Sequence, residues 1–433
     1  MEADTATRSD HRIPDDLAAA IISPKSYADE SFIYPVLKQV RNTTPVGQAF
    51  VPGYDPIWVI TKHADLIAVE KNAKLFHSGD ENPILNDQAN DAFIRSMNGG
   101  TIRSLSSLTF MDPPEHGMYR NLTSNWFFPN RIATLTDQIR EIAKASVQNL
   151  LSFDGECDFV KDFALLYPLR VVMTLIGVPP EDEPRMLKLT QEFFGTQDPE
   201  EQREGLEMDP LVAAKQWKAA IDDLYGYFRK LSEARRIDPR DDVISLIANA
   251  KINGEYVPDA EANGYYVALA TAGHDTTSST SAGGMLGMIK FPEQFELLKN
   301  NPGLSGAFVE EAVRWNCPVK HFMRSATEDT ELRGVKIRKG ERLFLSYPSA
   351  NRDEDIFFSP DDFVIDRKPN RQVAFGFGPH MCLGQHLARL EIRILFEELM
   401  PHLKSVELAG EPKFVQTNFV GGLKSLPIRF KKA

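Results

Sequence analysis

The chain has 433 residues, of which 42% are hydrophobic, so it can bury a large apolar core. Its formal net charge of -12 argues against nucleic acid as a partner, because nucleic acid binds to basic surfaces. No apolar run reaches the roughly 18 residues of a membrane span, and residues 1–12 lack the apolar stretch of a secretory signal.

No repeat and no linker rich in Pro, Gly or Ser divides the sequence, which favours a single domain over residues 1–433. The three cysteines, Cys157, Cys317 and Cys382, are far apart and odd in number. They indicate neither a disulfide framework nor a zinc site, and they fit a reducing compartment. We therefore expect a soluble, cytoplasmic protein that binds neither nucleic acid nor a membrane.

The first quarter of the chain is predicted to contain a hairpin and a long loop. Residues 49–60 favour β-structure and are interrupted by Pro and Gly, which is typical of a short hairpin. Residues 78–108 are irregular, with Asn-Pro and Asn-Gly-Gly turns, and a long loop inside a compact domain is usually functional. A mobile surface loop without a functional role is the alternative.

A helix is predicted after Pro113 and Pro114, because prolines followed by Glu115 are typical of a helix N-terminus. His116 and Arg120 then lie four residues apart on one helix face. Two cations on one face destabilise a helix unless an anion binds beside them. A solvated polar face is the simpler interpretation of such a pair in isolation.

Further helices are predicted over residues 135–189 and 217–235, and Asp241 and Asp242 are predicted to cap another helix. Residues 181–209 are acidic and contain few large apolar side chains. A segment with so few apolar contacts is expected to open easily.

A helical pattern runs over residues 258–290, which at about 1.5 Å per residue is long enough to cross the molecule. Its middle, residues 272–277, reads Ala-Gly-His-Asp-Thr-Thr, and most of these residues are poor helix formers. Thr276 can donate a hydrogen bond back to the Ala272 carbonyl and bend the helix, which opens a polar notch. In the alternative interpretation, Asp275 is an N-cap at which two helices meet.

Two further segments carry charges whose environment the sequence leaves open. Glu311 and Arg314 lie three residues apart on a predicted helix, and on a surface such a pair contributes little stability. Residues 318–324 form an extended stretch that ends in an arginine. Within it, Lys320 and His321 are unexpected beside an apolar pocket, and their orientation does not follow from the sequence.

Residues 375–384 read Phe-Gly-Phe-Gly-Pro-His-Met-Cys-Leu-Gly, a glycine-rich loop that brings one cysteine to the start of a helix. That helix is predicted because Leu387, Leu390 and Ile394 fall on one face and Pro401 follows. The amides and dipole at a helix N-terminus favour a thiolate, and glycines allow close approach of a flat ligand such as a haem. A buried, unreactive cysteine and a cysteine nucleophile are the alternatives.

The spacing of Phe375, Gly378, Cys382 and Gly384 resembles the haem-binding loop of the cytochrome P450 monooxygenases. The resemblance extends over nearly the whole chain, with several motifs in the order of the family. Similarity to the bacterial, soluble, terpineol-hydroxylating subgroup is most evident in residues 272–279, 347–353, 381–388 and 418–422. The resemblance implies the mainly α cytochrome P450 fold, in which a large helical part is joined to a small β-rich part.

The resemblance also implies roles for individual residues. Cys382 corresponds to the axial thiolate ligand of the iron in haem b, and Asp275 and Thr276 correspond to an acid–alcohol pair that delivers protons during O2 reduction. Contacts with the haem are implied for His116, Arg120, Ala272, Arg324, Phe375, Gly376, His380, Cys382 and Gly384. Substrate-pocket positions are implied at Ile102, Leu105, Leu269, Ala272, Val319, Phe322 and Leu423.

Two family features differ or are uncertain in this chain. The family's buried Glu–Arg pair, here Glu311 and Arg314, takes a third cation from a Pro-x-x-Phe segment, but Asp362 stands at that position. Arg367 is then the candidate for the third cation. Residues 181–209 correspond to a lid over the substrate pocket.

The implied reaction inserts one oxygen atom of O2 into a C–H bond of a small apolar molecule, such as a monoterpene, an alkylbenzene or an aromatic hydrocarbon. The sequence has no flavin, nicotinamide or iron–sulfur motif, so electrons are expected from a [2Fe-2S] ferredoxin and its reductase. An acidic ferredoxin requires a basic patch on the cysteine side, where we expect Arg120. The alternatives are a peroxide-dependent haem-thiolate enzyme, which would not need Asp275 and Thr276, and a non-catalytic haem sensor or carrier.

Overall fold

The structure is a computed structural model that describes residues 11–194, 198 and 210–433. In these residues α-helices predominate, and in chain order they are Asp15–Ile22 (α1), Glu30–Thr43 (α2), His63–Lys71 (α3), Gln88–Met97 (α4), Glu115–Asn121 (α5), Pro129–Ala133 (α6), Thr136–Ser152 (α7), Leu166–Ile176 (α8), Glu183–Phe194 (α9), Pro210–Ile237 (α10), Val243–Ala248 (α11), Asp259–Ala272 (α12), Asp275–Lys290 (α13), Pro292–Asn300 (α14), Ser305–Asn316 (α15), Tyr347–Ala350 (α16) and Gln385–Leu399 (α17). Shorter turns of 3-10 or π type cover Pro24–Ala28, Leu108–Phe110, Ser124–Phe127, Val160–Ala164, Pro180–Asp182, Pro302–Leu304, Gly378–His380 and Met400–His402.

The β-strands are short and are distributed over several small sheets. In chain order they are Val46–Ala49 (β1), Ile57–Ile60 (β2), Phe76–His77 (β3), Glu156–Asp158 (β4), Lys251–Ile252 (β5), Glu255–Tyr256 (β6), His321–Ala326 (β7), Thr330–Leu332 (β8), Val335–Ile337 (β9), Arg342–Ser346 (β10), Leu403–Leu408 (β11), Lys413–Phe414 (β12), Leu423–Ser425 (β13) and Pro427–Lys432 (β14). The predicted architecture, mainly α with a small β-rich part, is confirmed.

The largest sheet has five strands in the order β1-β2-β10-β7-β3. β1 and β2 form the predicted hairpin, β10 runs parallel to β2, and β7 and β3 extend the sheet in antiparallel fashion. Side chains alternate between the two faces of a strand. One face packs against α1 and α2 and includes Ile57, Val59, Met323 and Phe344. The opposite face includes Trp58, Ile60, Leu343 and Leu345.

The helical part has its own apolar core, which extends from Leu105 to Phe430 and includes residues of α7, α8, α13, α15 and α17. The predicted apolar face of α17 is confirmed, since Leu387, Leu390 and Ile394 are all buried. The smaller sheets are β11-β14-β4 and the pairs β12-β13, β5-β6 and β8-β9. In the described part of the chain, no helix combines the length and the apolar character needed to cross a membrane.

The predicted irregular segment over residues 78–108 is wrong in its middle, because α4 forms there. The Asp87 carboxylate accepts a hydrogen bond from the Asn90 amide at 2.7 Å and caps the helix, and Gly99 and Gly100 follow its end at positive φ. No residue of α4 is buried, so the helix lies outside the apolar core. Of the predicted lid, residues 195–197 and 199–209 lie outside the described residues, and the lid stays a prediction.

The predicted continuous helix over residues 258–290 is also wrong, because the chain forms α12 and α13 instead. Gly273 and His274 separate the two helices, and His274 rather than Asp275 occupies the N-cap position of α13. The interruption is local, since the amide of Ser278 already donates to the His274 carbonyl at 3.0 Å. The break therefore falls within the polar motif and leaves both flanking helices regular.

Candidate active site

The loop over residues 375–384 folds back on itself in front of α17. The amide of Cys382 donates to the carbonyl of Phe375 at 2.8 Å, which closes the loop. Gly376 and Gly378 have φ values of +71° and +68°, a conformation that other residues rarely adopt. A Cβ at Gly378 would also overlap the main chain of Glu70. The glycines are thus needed for the backbone path that presents the cysteine.

Cys382 is half-buried, and its sulfur lies beside the amides of Gly384 and Gln385. Burial raises the pKa of the Cys382 thiol, and the two amides and the charges of Arg120 and Arg389 lower it only in part. The amides at the helix N-terminus thus favour the thiolate, as expected, but they do not by themselves offset the effect of burial. A metal ion on the sulfur would supply the missing charge, because coordination deprotonates a thiol.

Four basic side chains meet beside this loop: His116, Arg120, Arg324 and His380. The imidazole rings of His116 and His380 lie 4.1 Å apart, and Arg120 Nη2 donates to the carbonyl of Met381 at 2.6 Å. Burial, reinforced by the neighbouring arginines, lowers the pKa of His116 to about 4 and that of His380 to about 2. Nε2 of both histidines is buried and has no hydrogen-bond partner among the described residues.

Arg324 has an acidic neighbour that sequence reasoning missed. Its Nη2 lies 3.6 Å from Oε1 of Glu70 on α3, and the hydroxyl of Tyr347 donates to the same oxygen at 2.6 Å. Burial raises the pKa of Glu70 to about 7, although Arg324, Tyr347 and the amide of Phe377 all act to lower it. Glu70 therefore connects Arg324 with the cysteine loop. Its position in the sequence, on an otherwise ordinary helix, gave no signal of this.

The polar notch between α12 and α13 contains the predicted hydrogen bond from Thr276 to the preceding turn. Thr276 Oγ1 donates to the Ala272 carbonyl at 2.8 Å. Ala272 is exposed and Leu269 and Thr276 are half-buried, although most of their neighbours on the two helices are buried. One side of the notch is thus accessible. The hydroxyl of Thr276 donates its proton to the Ala272 carbonyl. Its oxygen can therefore only accept a further hydrogen bond, from a donor in the site.

His274, which is fully buried, and Asp275, which is half-buried, form an acid–base pair next to Thr276. Nε2 of His274 lies 2.8 Å from the carbonyl oxygen of Leu165, which can only accept, so Nε2 carries a proton. In a neutral ring Nδ1 then has none, and it lies 3.3 Å from Oδ1 of Asp275. Burial raises the pKa of Asp275, and His274 opposes this only in part. The pair is therefore suited to share one proton.

A third titratable group joins the notch to the helix that follows Cys382. Thr277 Oγ1 donates to Glu391 Oε1 on α17 at 3.2 Å, and burial raises the pKa of Glu391 well above its usual value. Glu391 was not identified from the sequence, because a single glutamate on the apolar side of a helix has no distinguishing pattern. The bond joins Thr277, next to Thr276 on α13, to the middle of α17.

The predicted pocket residues fall into two groups. Leu105 and Leu423 lie in the helical core and Leu269 packs against it, whereas Val319 and Phe322 pack against the five-stranded sheet. Ile102 is buried, with 3% of its surface exposed. Sequence reasoning missed Phe419, whose ring lies 5.5 Å from that of Phe322 in an edge-to-face arrangement. The C-terminal turn is also tightly packed, because a Cβ at Gly422 would overlap Ser279 Oγ and lie 2.8 Å from Ser279 Cβ.

Comparison with known proteins identifies the family. A cytochrome P450 family profile matches residues 304–431. Over 422 residues the chain is 54% identical to cytochrome P450-terp from a Pseudomonas species, which covers 97% of this chain and 99% of that protein. The chain is a cytochrome P450. The crystal structure of CYP108D1 from Novosphingobium aromaticivorans matches it with a TM-score of 0.90 at 40% identity, covering 98% of this chain and 100% of that one. Mycobacterium marinum CYP268A2 in complex with pseudoionone matches with a TM-score of 0.86 at 31% identity, covering 97% and 99%.

As a cytochrome P450, the protein is a monooxygenase that uses a haem with a cysteine thiolate as axial ligand. The residues present fit that group. Two buried histidine nitrogens that have no partner in the described part of the chain lie close to two arginines, a set that matches the carboxylates of a haem. The glycine loop leaves the sulfur of Cys382 approachable, and a Cβ at Gly384 would meet nothing within 4 Å.

The buried Glu–Arg network of this cytochrome P450 is complete. Arg314 donates to Glu311 at 2.7 and 2.8 Å, and both side chains are 0% exposed. Arg367 supplies the third cation, with Nε 3.1 Å from Glu311 Oε2, so Asp362 at the expected position does not leave the network incomplete.

The orientation of Lys320 is also settled, since its Nζ donates to the carbonyls of residues 316 and 317.

Proposed function

We propose that this cytochrome P450 hydroxylates a small, mostly apolar molecule, such as a monoterpene, an alkylbenzene or an aromatic hydrocarbon. The observation that carries the proposal is the 54% identity, over nearly the full length of both chains, to a protein named cytochrome P450-terp. Apolar pocket candidates support it: Ile102, Leu105, Leu269, Ala272, Val319, Phe322 and Leu423. A structural relative that was solved with pseudoionone also supports an apolar ligand.

We propose that Cys382 is the axial ligand of the haem iron. It stands on the loop in which Gly376 and Gly378, at positive φ, allow the backbone to come close to a flat ligand. The haem carboxylates are then bound by the Nε2 atoms of His116 and His380, which have no other partner among residues 11–194, 198 and 210–433, and by the guanidinium groups of Arg120 and Arg324. Further contacts are proposed for Ala272, Phe375, Gly376 and Gly384.

When bound, the haem activates O2, and electron donation by its axial thiolate favours O–O cleavage. The protein must supply the protons. We propose that Asp275 carries them, because burial raises its pKa and its Oδ1 lies 3.3 Å from Nδ1 of His274, a distance suited to sharing a proton. Thr276 orients the donor in the site, since its oxygen accepts while its own proton is bonded to Ala272.

Electrons are proposed to come from a [2Fe-2S] ferredoxin with its reductase, and a docking surface for an acidic partner must be locally basic in a protein of net charge -12. Lys71, Arg120 and Arg389 support such a surface. Lys71 lies 5.2 Å over the ring of Phe377, and Arg389 lies 4.4 Å over that of Phe375.

We further propose that residues 1–433 act as one domain. Apolar core residues from Leu105 to Phe430 form one cluster, which supports this. A cytoplasmic location is proposed because none of the three cysteines is paired in a disulfide, as is usual in a reducing compartment.

An optical titration of the purified ferric protein tests the substrate class. Terpineol, cymene, camphor, biphenyl, phenylcyclohexane and a fatty acid form the panel, and the Soret band reports conversion from low to high spin. We expect a large conversion with the compact cyclic hydrocarbons or alcohols. Conversion by the fatty acid alone would overturn the substrate class, and a protein that takes up no haem would overturn the cofactor site.

The ligand assignment has its own test. In the Cys382→Ser variant, the ferrous carbon monoxide complex is expected to lose the red-shifted Soret band that a thiolate ligand produces. Cys157→Ser, which changes a half-buried free cysteine on β4, is the matched control and is expected to retain that band. Loss of the band in the control alone would contradict the assignment.

A further inference from the structure

His321 is a fully buried histidine that the proposed reaction does not use. It begins β7 and is 0% exposed, and its ring stacks on Phe344 with centroids 4.4 Å apart and an interplanar angle of 21°. Alternation along β7 directs Phe322 and Arg324 to the opposite face of the sheet, towards Tyr347 and Glu70. His321 therefore lies on one face of β7, and Phe322, a proposed pocket residue, lies on the opposite face.

The two ring nitrogens of His321 bond two separate loops. Nδ1 lies 2.5 Å from the carbonyl oxygen of Asn418, and the amide of Leu85 donates to Nε2 at 2.9 Å. A carbonyl only accepts and an amide N–H only donates, so the ring carries its proton on Nδ1 and is neutral. Burial, opposed only in part by the bond to Asn418, agrees with this by lowering the pKa of His321 to about 3. The geometry thus selects one tautomer of a neutral histidine.

Backbone bonds next to His321 extend both connections. The amide of Lys320 donates to the Phe419 carbonyl at 2.7 Å, and that of Gly421 donates to the Pro318 carbonyl at 3.0 Å. On the other side, the amide of Met323 donates to the Pro83 carbonyl at 2.8 Å. The start of the 78–108 segment and the C-terminal loop are therefore both bonded to one short stretch of chain.

These bonds determine how two aromatic rings meet. The ring of Phe419 lies 5.5 Å from Phe322 at an interplanar angle of 75° and 5.6 Å from His321. Phe322 and Phe419 are both half-buried, so part of each ring is accessible. A shift of the C-terminal loop would move Phe419 away from Phe322 and change the shape of the apolar surface that they form.

We propose that His321 is a positioning residue that sets the size selectivity of the substrate pocket by joining the loops of Leu85 and Asn418 through one neutral ring. The proposal rests on the proposed function, since it assigns a determinant of selectivity to that same pocket. With the loops joined, the Phe322–Phe419 surface is fixed and favours compact cyclic hydrocarbons over extended ones.

Three substitutions in the haem-loaded, full-length protein separate the two bonds. His321→Asn retains a donor near the Nδ1 position, His321→Gln retains an acceptor near the Nε2 position, and His321→Phe retains only the stacking. Met323→Leu is the matched control, because it is the next buried residue on the same face and keeps its volume. Dissociation constants are measured for camphor and for a long fatty acid, and amide hydrogen exchange is followed at Leu85 and Gly421.

In His321→Phe the preference for camphor over the fatty acid is expected to fall about tenfold, while Met323→Leu retains it. Exchange at Leu85 is expected to accelerate in the Asn variant, and exchange at Gly421 in the Gln variant. Unchanged selectivity and exchange in all three variants would overturn the proposal. If His321→Phe fails to fold, the proposal is tested with the Asn and Gln variants alone, by their preference for camphor and by their exchange at Leu85 and Gly421.

The result also separates this proposal from the proposed function. If the unmodified protein shows no preference for compact ligands, the proposed substrate class fails. Amide hydrogen exchange at Leu85 and Gly421 requires no ligand. In that case it still shows whether His321 joins the two loops. Faster exchange at Leu85 in His321→Asn and at Gly421 in His321→Gln supports the positioning role. Faster exchange at Gly421 in His321→Asn and at Leu85 in His321→Gln overturns it.

Discussion

Thr276 differs from the hydroxyl residues that follow it on α13 in the exposure of its side chain. Thr277, Ser278, Ser279, Thr280 and Ser281 are all buried, whereas Thr276 is half-buried beside the exposed Ala272. Its hydroxyl is therefore the one in this run that a molecule in the pocket can reach. This accessibility, together with the neighbouring Asp275, supports the proposed role of Thr276 in proton delivery.

In the Thr276→Ala variant, product formation is expected to fall by about 10²-fold or more while electron consumption continues, because the proton donor is no longer oriented. The measurement is the ratio of product formed to reduced ferredoxin consumed. Thr280→Ala is the matched control, since Thr280 makes the same kind of bond, to the Thr276 carbonyl at 2.8 Å. Equal coupling in the two variants would remove Thr276 from the proton path.

Sequence reasoning reached the residues that stand in compact motifs. Cys382, Asp275 and Thr276 are recognisable because each lies in a run of residues whose chemistry and spacing are unusual. Glu70 and Phe419 were missed, because their roles depend on contacts with residues far away in the chain. The orientation of His321 was likewise open, since strand alternation gives its direction only after the register of β7 is known.

At the level of elements, the sequence predicted where α17 and the β1–β2 hairpin form, and it failed at the break between α12 and α13. Apolar periodicity continues on both sides of Gly273 and His274, so the pattern alone reads as one helix. The break depends on tertiary contacts: His274 bonds the Leu165 carbonyl, and Ser278 Oγ bonds the Ala164 carbonyl at 2.7 Å. Neither partner is close in sequence.

The Glu311 network joins α15 to the segment that leads into the cysteine loop. Besides Arg314 and Arg367, the carboxylate accepts from the Val364 amide at 2.8 Å and from Asn370 Nδ2 at 3.0 Å. It is the anion that balances the fully buried Arg314. Its loss would therefore leave an uncompensated charge in the protein interior.

We expect Glu311→Gln to lower the free energy of unfolding by about 3–5 kcal/mol, the usual effect of removing one partner from a buried ion pair. Urea unfolding followed by far-ultraviolet circular dichroism measures it. The adjacent Glu310→Gln is the control. Its partner Arg389 is 29% exposed, and a loss of no more than about 1 kcal/mol is expected. Similar losses in both variants would contradict the structural role of the network.

For the whole molecule, charge distribution decides how an acidic partner approaches. Replacing Lys71 with Gln is expected to raise the ferredoxin concentration for half-maximal reduction by about two- to tenfold at low salt, with a smaller effect at high salt. Reduction of the haem by ferredoxin, followed at several ionic strengths, measures this. Lys431→Gln, an exposed lysine on β14, is the control and is expected to have no effect. An equal effect of both would exclude docking near Phe377.

Acid stability tests a contact between α2 and the segment after α16. Burial alone would raise the pKa of Glu354, but hydrogen bonds and charge from Arg41 and the charge of Lys38 lower it from 4.5 to about 2. Because the folded state favours the ionised form, this stabilisation is present above pH 4.5 and is lost as the pH falls towards 2.

Glu354→Gln is accordingly expected to be less stable than the unmodified protein by about 1–2 kcal/mol near pH 7, a value discounted for the partial exposure of the pair. The difference should shrink below pH 4.5 and disappear as the pH falls through 2. Urea unfolding at a series of pH values measures it, and the exposed Glu296→Gln serves as the control. A difference independent of pH would show that the ion pair is not its source.

The close packing of Gly422 against Ser279 has a consequence for how such a pocket changes through mutation. No side chain fits at position 422 while Ser279 keeps its Cβ and hydroxyl, whereas Ser279→Gly removes both obstacles. The acceptability of one substitution thus depends on the other having occurred first. A lineage, or a directed-evolution library, that varies position 422 alone meets a barrier, and it reaches a reshaped C-terminal turn only by way of a smaller residue 279.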